Sequence, residues 1–156
     1  MLKLTRELKK CRNCGTENTF FSFGLEFGGY GLQVGSNESG TKFCLVELIE
    51  NEAYEEFCKL FEEECGNDLK TMKRLFAIAC DPIDGEMVTF TEKPRVCSRC
   101  AGTDFELVPS AEATVEVETF DVSYTMWNSL DVEAKRLLIK EAYCSLKEEN
   151  KWKIQL

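Results

Sequence analysis

The fold of this chain depends on two short stretches, Cys11-Arg12-Asn13-Cys14-Gly15 and Cys97-Ser98-Arg99-Cys100-Ala101-Gly102. In each stretch two cysteines are separated by two residues, and a small residue and then a run of strand-forming residues follow. Two thiolates at this spacing bind one side of a tetrahedral metal ion, and two such turns supply four sulfur ligands. The two stretches are therefore candidates for the two halves of one metal site.

The two cysteine turns are separated by 82 residues, which is far more than a compact site needs. A shared metal ion would close a long loop and link the two ends of this segment. Two other interpretations remain open from the spacing alone: unrelated thiols in two turns, and a thioredoxin-like redox pair. The redox interpretation is disfavoured because a reactive Cys-x-x-Cys begins a helix, and a strand pattern follows both copies here.

The paired turns resemble the zinc knuckles of the zinc-ribbon group, which includes rubredoxin-like sites. The resemblance covers the two cysteine turns and the strand behind each, and it implies one metal ion. Its ligands would be Cys11, Cys14, Cys97 and Cys100. Ala101 departs from the pattern, because a glycine often stands at this position. Four protein ligands leave no position for water or substrate, so the resemblance implies a structural metal, with zinc favoured over iron.

Amino-acid composition limits the classes of function. The chain has 156 residues, no histidine and a net charge of −9. Without histidine, Ser-His-Asp and Cys-His catalytic systems and mixed Cys/His zinc sites are excluded. The negative charge disfavours generic binding to nucleic acid and suits a protein that meets a basic partner.

The use of cysteine indicates the compartment. Nine cysteines, an odd number, without an export signal are typical of a reducing environment, where thiols bind metal or pack in the core. The sequence shows neither an apolar run long enough to span a membrane nor the apolar region of a signal peptide. We therefore expect a cytoplasmic protein that does not enter the membrane. Five further cysteines fall on or near apolar faces and are expected to be buried: Cys44, Cys58, Cys65, Cys80 and Cys144.

The order of the strand and helix patterns predicts an α+β fold. Helices are predicted over 51–65, 68–80 and 131–149, from their apolar periodicity and capping residues. Residues 114–124 alternate between apolar and polar side chains, as in a strand with one buried face. An antiparallel sheet with about three helices is the expected architecture.

The chain length and the positions of the two cysteine turns predict the domain organisation. We predict a single domain over residues 1–156, which is a length that one hydrophobic core can stabilise. Residues 15–96 form a long insertion between the two cysteine turns. Residues 97–156 carry the second turn, further strands and the last helix.

Cations flank both cysteine turns of this otherwise acidic chain. They are Lys9, Lys10, Arg12, Lys93, Arg95 and Arg99. One interpretation is that they offset the negative charge of a metal ion bound by four thiolates. The other is a surface that binds an anion or nucleic acid, although no aromatic residue interleaves with these cations to stack on single strands.

The first predicted helix carries many acidic residues. Four of them are candidates for contact with a basic protein: Glu55, Glu56, Glu62 and Glu63. The simpler interpretation is a solvated helix surface.

Three classes of function follow from these features. The leading hypothesis is a non-enzymatic, zinc-stabilised protein-binding or regulatory protein with a basic partner, such as an immunity-protein or antitoxin-like neutraliser. The first alternative is a nucleic-acid-associated zinc-ribbon protein that uses the cations beside the cysteine turns. The second alternative is an enzyme with carboxylate or thiol chemistry, although no catalytic residue stands out.

Overall fold

The computed structural model of the protein describes residues 2–22, 31–91, 95–108 and 113–155, with side chains as far as residue 149. The predicted combination of strands and helices is confirmed within these ranges. The strands are β1 (Leu2–Cys11), β2 (Glu17–Ser22), β3 (Leu32–Asn37), β4 (Phe43–Glu47), β5 (Val88–Thr89), β6 (Phe105–Leu107), β7 (Ala113–Val117) and β8 (Thr119–Phe120). The helices are α1 (Glu52–Cys65), α2 (Leu69–Leu75), α3 (Thr125–Ser129) and α4 (Val132–Gln155), and a 3-10 turn (Phe76–Ala79) follows α2.

The first sheet is built around β1 and is antiparallel throughout. Strand β2 pairs with one edge of β1, while β6 and β7 occupy successive parts of the other edge. At the carboxyl end of β1, Lys10 pairs with Glu17 and Cys11 pairs with Phe105. This register places the two cysteine turns at the same end of the sheet.

The second sheet has the strand order β5-β3-β4-β8, and its β4–β8 pair is parallel. The chain passes from the first sheet to the second between Val117 and Thr119. The alternating segment at 114–124 is therefore two strands in two sheets rather than one long strand. Its first part follows the predicted pattern, because Val115 and Val117 are half-buried while Glu116 and Glu118 are exposed.

The helix boundaries follow their capping residues. The side chain of Asn51 accepts a hydrogen bond from the Tyr54 N–H at the start of α1, and Gly66 ends this helix with a φ of 84°. Asp68 caps α2 in the same way, through the Thr71 N–H. In the described part of the chain, no helix combines the length and the apolar character needed to cross a bilayer.

Helix α3 was not predicted, because its capping group comes from a distant segment. The carboxylate of Asp81 accepts hydrogen bonds from the Thr125 N–H at 2.8 Å and the Met126 N–H at 2.9 Å. It also accepts one from the Ser123 hydroxyl. Tyr124, the residue before the helix, makes no side-chain cap.

An aromatic cluster forms the larger core, between the helices and the second sheet. Phe57 of α1 lies at its centre, with its ring centroid 5.5 Å from Phe76 and 5.8 Å from Trp127. Helix α4 contributes Ile139 and Leu146 to the same cluster. Burial of a large aromatic side chain stabilises the fold by several kcal/mol, so these contacts fix where α1, α3 and α4 lie.

A smaller core joins the two sheets. Leu2 and Leu4 of β1 are almost fully buried, and they belong to one cluster with Val34 of β3 and Phe43 of β4. The position of the first sheet, and of the cysteine turns at its end, is therefore linked to the second sheet.

Ion pairs join α1 to α4 along their contact. Lys135 Nζ lies 2.6 Å from Glu56 Oε1, and Lys140 Nζ lies 2.9 Å from Glu64 Oε2. Arg136 contacts Glu64 at 3.0 Å. The hydrogen bonds and charges of Lys140 and Arg136 lower the pKa of Glu64 below its usual value.

Protonation of Glu64 should therefore weaken the fold. Because the pKa of Glu64 is lower in the folded chain than in the unfolded chain, its ion pairs stabilise the fold at neutral pH and stop doing so as pH falls through the folded-state pKa. We expect Glu64→Gln to lower the urea midpoint at pH 7 and to flatten its decline between about pH 5 and pH 3.

The matched control is Glu133→Gln, since Glu133 is 88% exposed and lies 4.0 Å from the same Arg136. An equal pH profile for Glu64→Gln and the native chain would contradict the role given to these ion pairs.

Candidate metal centre

The four predicted ligand cysteines come together in space. Their Sγ atoms all lie within 4.8 Å of one another. Cys11 Sγ is 3.5 Å from Cys100 Sγ, and Cys14 Sγ is 3.6 Å from Cys97 Sγ. A tetrahedral ion with metal–sulfur bonds of about 2.3 Å places its sulfur atoms about 3.8 Å apart. This cluster could hold a metal ion.

The first cysteine turn is shaped by backbone hydrogen bonds. The Cys11 N–H donates to the Thr16 carbonyl, and the Gly15 N–H donates to the Cys11 carbonyl, both at 2.9 Å. Gly15 has a φ of 76°, which is a left-handed conformation that glycine adopts without strain. Both thiols of the turn are thereby directed toward the same point.

The second turn repeats this geometry with alanine in the glycine position. The Ala101 N–H donates to the Cys97 carbonyl at 2.9 Å, and the Cys97 N–H donates to the Gly102 carbonyl at 2.8 Å. Ala101 has a φ of 60°, so it occupies the left-handed position of Gly15 despite its methyl group. A Cβ atom on Gly102 would lie 2.8 Å from Asn13 Nδ2 and 3.2 Å from Cys100 Sγ, so a larger residue there would displace the Asn13 side chain and press against the thiol.

Strand pairing joins the two turns independently of any metal. Beyond the Cys11–Phe105 pair, the Arg12 N–H donates to the Asp104 carbonyl at 2.9 Å. The loop of 82 residues between the turns is thus closed by β1 and β6. A metal ion would stabilise an arrangement that the sheet already favours.

Hydrogen bonds around the sulfur atoms favour thiolate at part of the cluster. The N–H groups of Cys100 and Arg99, followed by the side chain of Asn18, lower the pKa of Cys97 to about 6. Hydrogen bonds with Thr16 lower the pKa of Cys14. Metal ligation requires thiolate, so these contacts prepare two of the four ligands.

The pKa of Cys100 is raised rather than lowered. The Gly102 N–H lowers the pKa of Cys100, but this effect is outweighed by Cys11, by partial burial and by the other two thiols, which raise it to about 12. Like charges at this separation disfavour each other, so four thiolates require a cation among them.

Asn18 supports both turns and was missed in the sequence. It is 6% exposed, and its amide nitrogen lies 3.5 Å from Cys97 Sγ and 3.1 Å from the Thr16 carbonyl. Its side-chain oxygen accepts a hydrogen bond from the Ser98 N–H at 2.9 Å. The only signal in the sequence is an asparagine within a strand beside the first turn, and nothing there identifies its partners.

Carboxylates partly neutralise the cations predicted near the turns. Arg95 lies 2.6 Å from Glu7 and donates to the Ser22 hydroxyl at 2.7 Å, and Lys9 lies 3.6 Å from the same Glu7. Arg12 lies 3.4 Å from Asp104.

The other predicted cations lack such partners or lie elsewhere. Lys10 and Arg99 are exposed, and neither has an ion pair within the described ranges. Lys93 lies outside the described residues.

The four acidic residues predicted on α1 divide into two pairs. Glu56 accepts hydrogen bonds from Trp127 Nε1 at 2.9 Å and Lys135 Nζ at 2.6 Å, and Glu63 lies 2.6 Å from Arg136. These two residues contact α3 or α4. Glu55 and Glu62 are exposed and have no ion pair in the part of the chain that the structure describes.

The five remaining cysteines lie outside the cluster. Cys44 and Cys80 are buried as expected, and burial raises the pKa of both, that of Cys44 to about 12. Burial also raises the pKa of Cys58 and Cys65, which are half-buried. Cys144 is exposed, so its predicted burial was wrong, because it faces away from the contact that Ile139 and Leu146 of α4 make with the core.

A second candidate site was also missed: an open groove of about 790 Å³ beside β4 and the start of α1. Five carboxylates line it: Glu47, Glu50, Glu52, Glu56 and Asp121. Lys135 also lines it, but this residue is 7% exposed and contacts Glu56. The lining comes from three separate segments, so no continuous motif in the sequence indicates the groove.

Removal of one ligand cysteine should release the metal. We expect about one metal ion per chain by elemental analysis of the native protein, and its loss after dialysis against a chelator in both Cys11→Ser and Cys97→Ser, since each removes one of four ligands. The unfolding temperature should fall by about 10 °C or more in both variants.

Cys144→Ser is the matched control, because Cys144 is an exposed thiol outside the cluster. Full metal content in either ligand variant would disprove a shared site.

The backbone of Ala101 gives a separate prediction. A left-handed φ strains an alanine by about 1–2 kcal/mol, part of which is offset by the greater freedom of glycine in the unfolded chain. We expect Ala101→Gly to stabilise the metal-loaded protein by about 0.5–1 kcal/mol in urea denaturation. Gly15→Ala, at the equivalent position, should destabilise it by a similar amount. A loss of stability in Ala101→Gly would contradict the observed φ.

Comparisons with known proteins give no relative from which a function could be transferred. The chain matches no protein-family model, no curated protein and no solved structure.

Proposed function

We propose that this protein is a non-enzymatic, zinc-stabilised binding protein that regulates or neutralises a basic partner protein. The observation that carries the proposal is the open groove whose lining contains five carboxylates and one buried lysine. An immunity-protein or antitoxin-like neutraliser is its most concrete form, because blocking a basic toxin requires a stable acidic surface and no catalytic group.

The charge of the groove supports a basic partner. Glu56 contacts Lys135, so the other carboxylates face the groove without a cation from its lining. Two of them, Glu47 of β4 and Asp121 after β8, are exposed side chains from separate segments of the chain. Complementary charge raises association rates and excludes wrong partners, and the net charge of −9 acts in the same direction.

The donor set of the metal centre supports zinc in a structural role. Four thiolates suit zinc or iron, and zinc is the commoner structural ion. Cys11, Cys14, Cys97 and Cys100 would occupy all four positions of a tetrahedral ion. The metal would therefore stabilise the end of the first sheet and take no part in chemistry. Free thiols elsewhere in the chain favour a reducing compartment, the cytoplasm.

Nucleic acid is a weaker candidate partner because three of the cations beside the turns have carboxylate neighbours. Lys9 and Arg95 share Glu7, and Arg12 contacts Asp104. Phosphate binding would have to compete with these contacts on a protein of net charge −9.

Thiol catalysis is also disfavoured. A reactive cysteine has a lowered pKa and partial exposure. Outside the metal cluster, burial raises the pKa of Cys44, Cys58, Cys65 and Cys80. These thiols are therefore protonated at neutral pH.

A binding experiment tests the proposal. The probe is a fluorescently labelled peptide of about eight residues that alternates lysine and valine, titrated with the protein in low salt. We expect saturable binding that weakens as salt increases, and a loss of affinity of about tenfold or more in the triple variant Glu47→Lys, Glu50→Lys and Asp121→Lys.

A charge-matched control places the same three reversals on the first sheet, at the exposed residues Glu17, Glu106 and Glu116. This variant should bind nearly as well as the native chain. Duplex DNA and single-stranded RNA are titrated in parallel. Absence of peptide binding, or nucleic-acid binding that Arg12→Ala and Arg99→Ala abolish, would overturn the proposal.

A further inference from the structure

We infer that the groove receives its partner as an extended, lysine- or arginine-bearing segment that pairs with the free edge of β4. This inference rests on the proposed function and adds the mode of binding. Its basis is the juxtaposition of an incomplete strand edge, exposed apolar side chains and carboxylates in one groove.

In the second sheet, the last part of β4 pairs with a neighbouring strand along one edge but not along the other. Strand β4 runs to Glu47 and pairs with β3 along its whole length, from Phe43 to Glu47. On its other edge β8 pairs with Phe43 and Cys44, and the ladder ends there in the described part of the chain. Leu45 to Glu47 therefore have a strand partner on the β3 edge alone.

The direction of the hydrogen bonds shows which main-chain groups face the groove. The Leu48 N–H donates to the carbonyl of Gly31, the residue before the start of β3. Because hydrogen-bonding direction alternates along an antiparallel strand, Val46 also faces β3, whereas Leu45 and Glu47 face the opposite edge. The Glu47 carbonyl accepts a hydrogen bond from Asn51 Nδ2 at 2.9 Å. The Leu45 carbonyl and the Glu47 N–H are the groups that a further rung of the ladder would use.

The chain after β8 lines the groove opposite this edge. Asp121, Val122 and Tyr124 follow β8 directly and form part of the lining. The groove that they line together with β4 and the start of α1 has a volume of about 790 Å³, which is within the range of about 300–1,000 Å³ typical of binding sites. The two sides of the groove touch at one point, where Asn51 Nδ2 donates a hydrogen bond to the Tyr124 hydroxyl at 3.0 Å. An extended segment can enter at the point where β4 and the chain after β8 diverge.

The side chains around the groove fit a segment with both cationic and apolar residues. Ile49 is 68% exposed and Leu45 is 36% exposed, and both line the groove. Glu50 follows Ile49 with a φ of 57°, a strained conformation for a residue other than glycine. Strain of this kind is typical of functional loops. Alternate side chains of an added strand point to opposite faces, so apolar and basic residues in alternation match this lining.

A second copy of the chain is a poorer occupant of the same edge. Pairing of two β4 edges would bring together two sets of the groove carboxylates on chains that each carry a charge of −9. Like charges across an interface repel each other and suppress such pairing. A basic partner meets no such repulsion, so we expect the added segment to come from a different protein.

Backbone-methylated peptides test the mode of binding. Three peptides carry the same alternating lysine–valine sequence: one is unmodified, and one has N-methyl groups on alternate amides along one edge. A second methylated peptide carries the groups on the other edge, because only one edge would face β4. If the segment adds as a strand, one methylated peptide should bind about tenfold more weakly than the unmodified peptide, since it loses its hydrogen bonds to β4. Net charge is identical in all three.

Hydrogen exchange supplies a second readout in the native protein. Binding of the unmodified peptide should slow exchange of the Glu47 N–H, and it should leave that of Val46, which faces β3, nearly unchanged. The oligomeric state of the free protein is measured by sedimentation in the same buffer.

The outcomes separate the two proposals. Equal affinity of all three peptides, or unchanged exchange at Glu47, would overturn strand addition while the binding function stands. Peptide binding that survives reversal of Glu47, Glu50 and Asp121 would overturn the groove as the site. Failure of every peptide to bind would overturn both proposals. A dimer that the groove reversals dissociate would assign the edge to a second copy and overturn this inference.

Discussion

Four thiols whose sulfur atoms lie within 4.8 Å of one another are the constraint on which this fold depends. Cys97 has a pKa lowered to about 6, while Cys100 has one raised to about 12, because neighbouring thiolates disfavour each other. A divalent cation removes that repulsion and converts four competing groups into ligands. The two backbone turns and Asn18 hold the sulfur atoms at distances suited to such an ion before it binds.

Strand β1 transmits this constraint to the rest of the molecule. Its carboxyl end provides Cys11, its two edges pair with three strands, and its amino end provides Leu2 and Leu4 to the core between the sheets. A shift of register by one residue would exchange the buried and exposed faces of a strand. Because the thiol cluster places Cys11 against the second turn, a metal ion bound there would specify the same register as the packing between the sheets.

The sequence predicted the structural features that neighbouring residues in the chain determine. Cysteine spacing, the caps Asn51 and Asp68, and the apolar periodicity of α1 all have their cause within a few residues. The features that the sequence did not predict depend on contacts between segments that lie far apart in the chain. Helix α3 begins where Asp81 caps it from more than forty residues away. The role of Asn18 depends on Cys97 and Ser98, and the groove combines three segments.

The arrangement of charge differs between the cysteine cluster and the groove. Near the metal centre, Glu7 and Asp104 lie beside Arg95 and Arg12, so opposite charges meet within the chain and contribute to local order. At the groove, Glu56 is the only carboxylate with an ion pair among the described residues. Its partner is Lys135, and Glu56 also accepts a hydrogen bond from the Trp127 indole. Negative charge that the chain does not neutralise slightly destabilises the unbound protein through repulsion, and it strengthens binding to a partner of opposite charge. The surface that we propose for recognition is therefore the acidic groove, and its segments differ from those that form the cysteine cluster, the most prominent feature of the sequence.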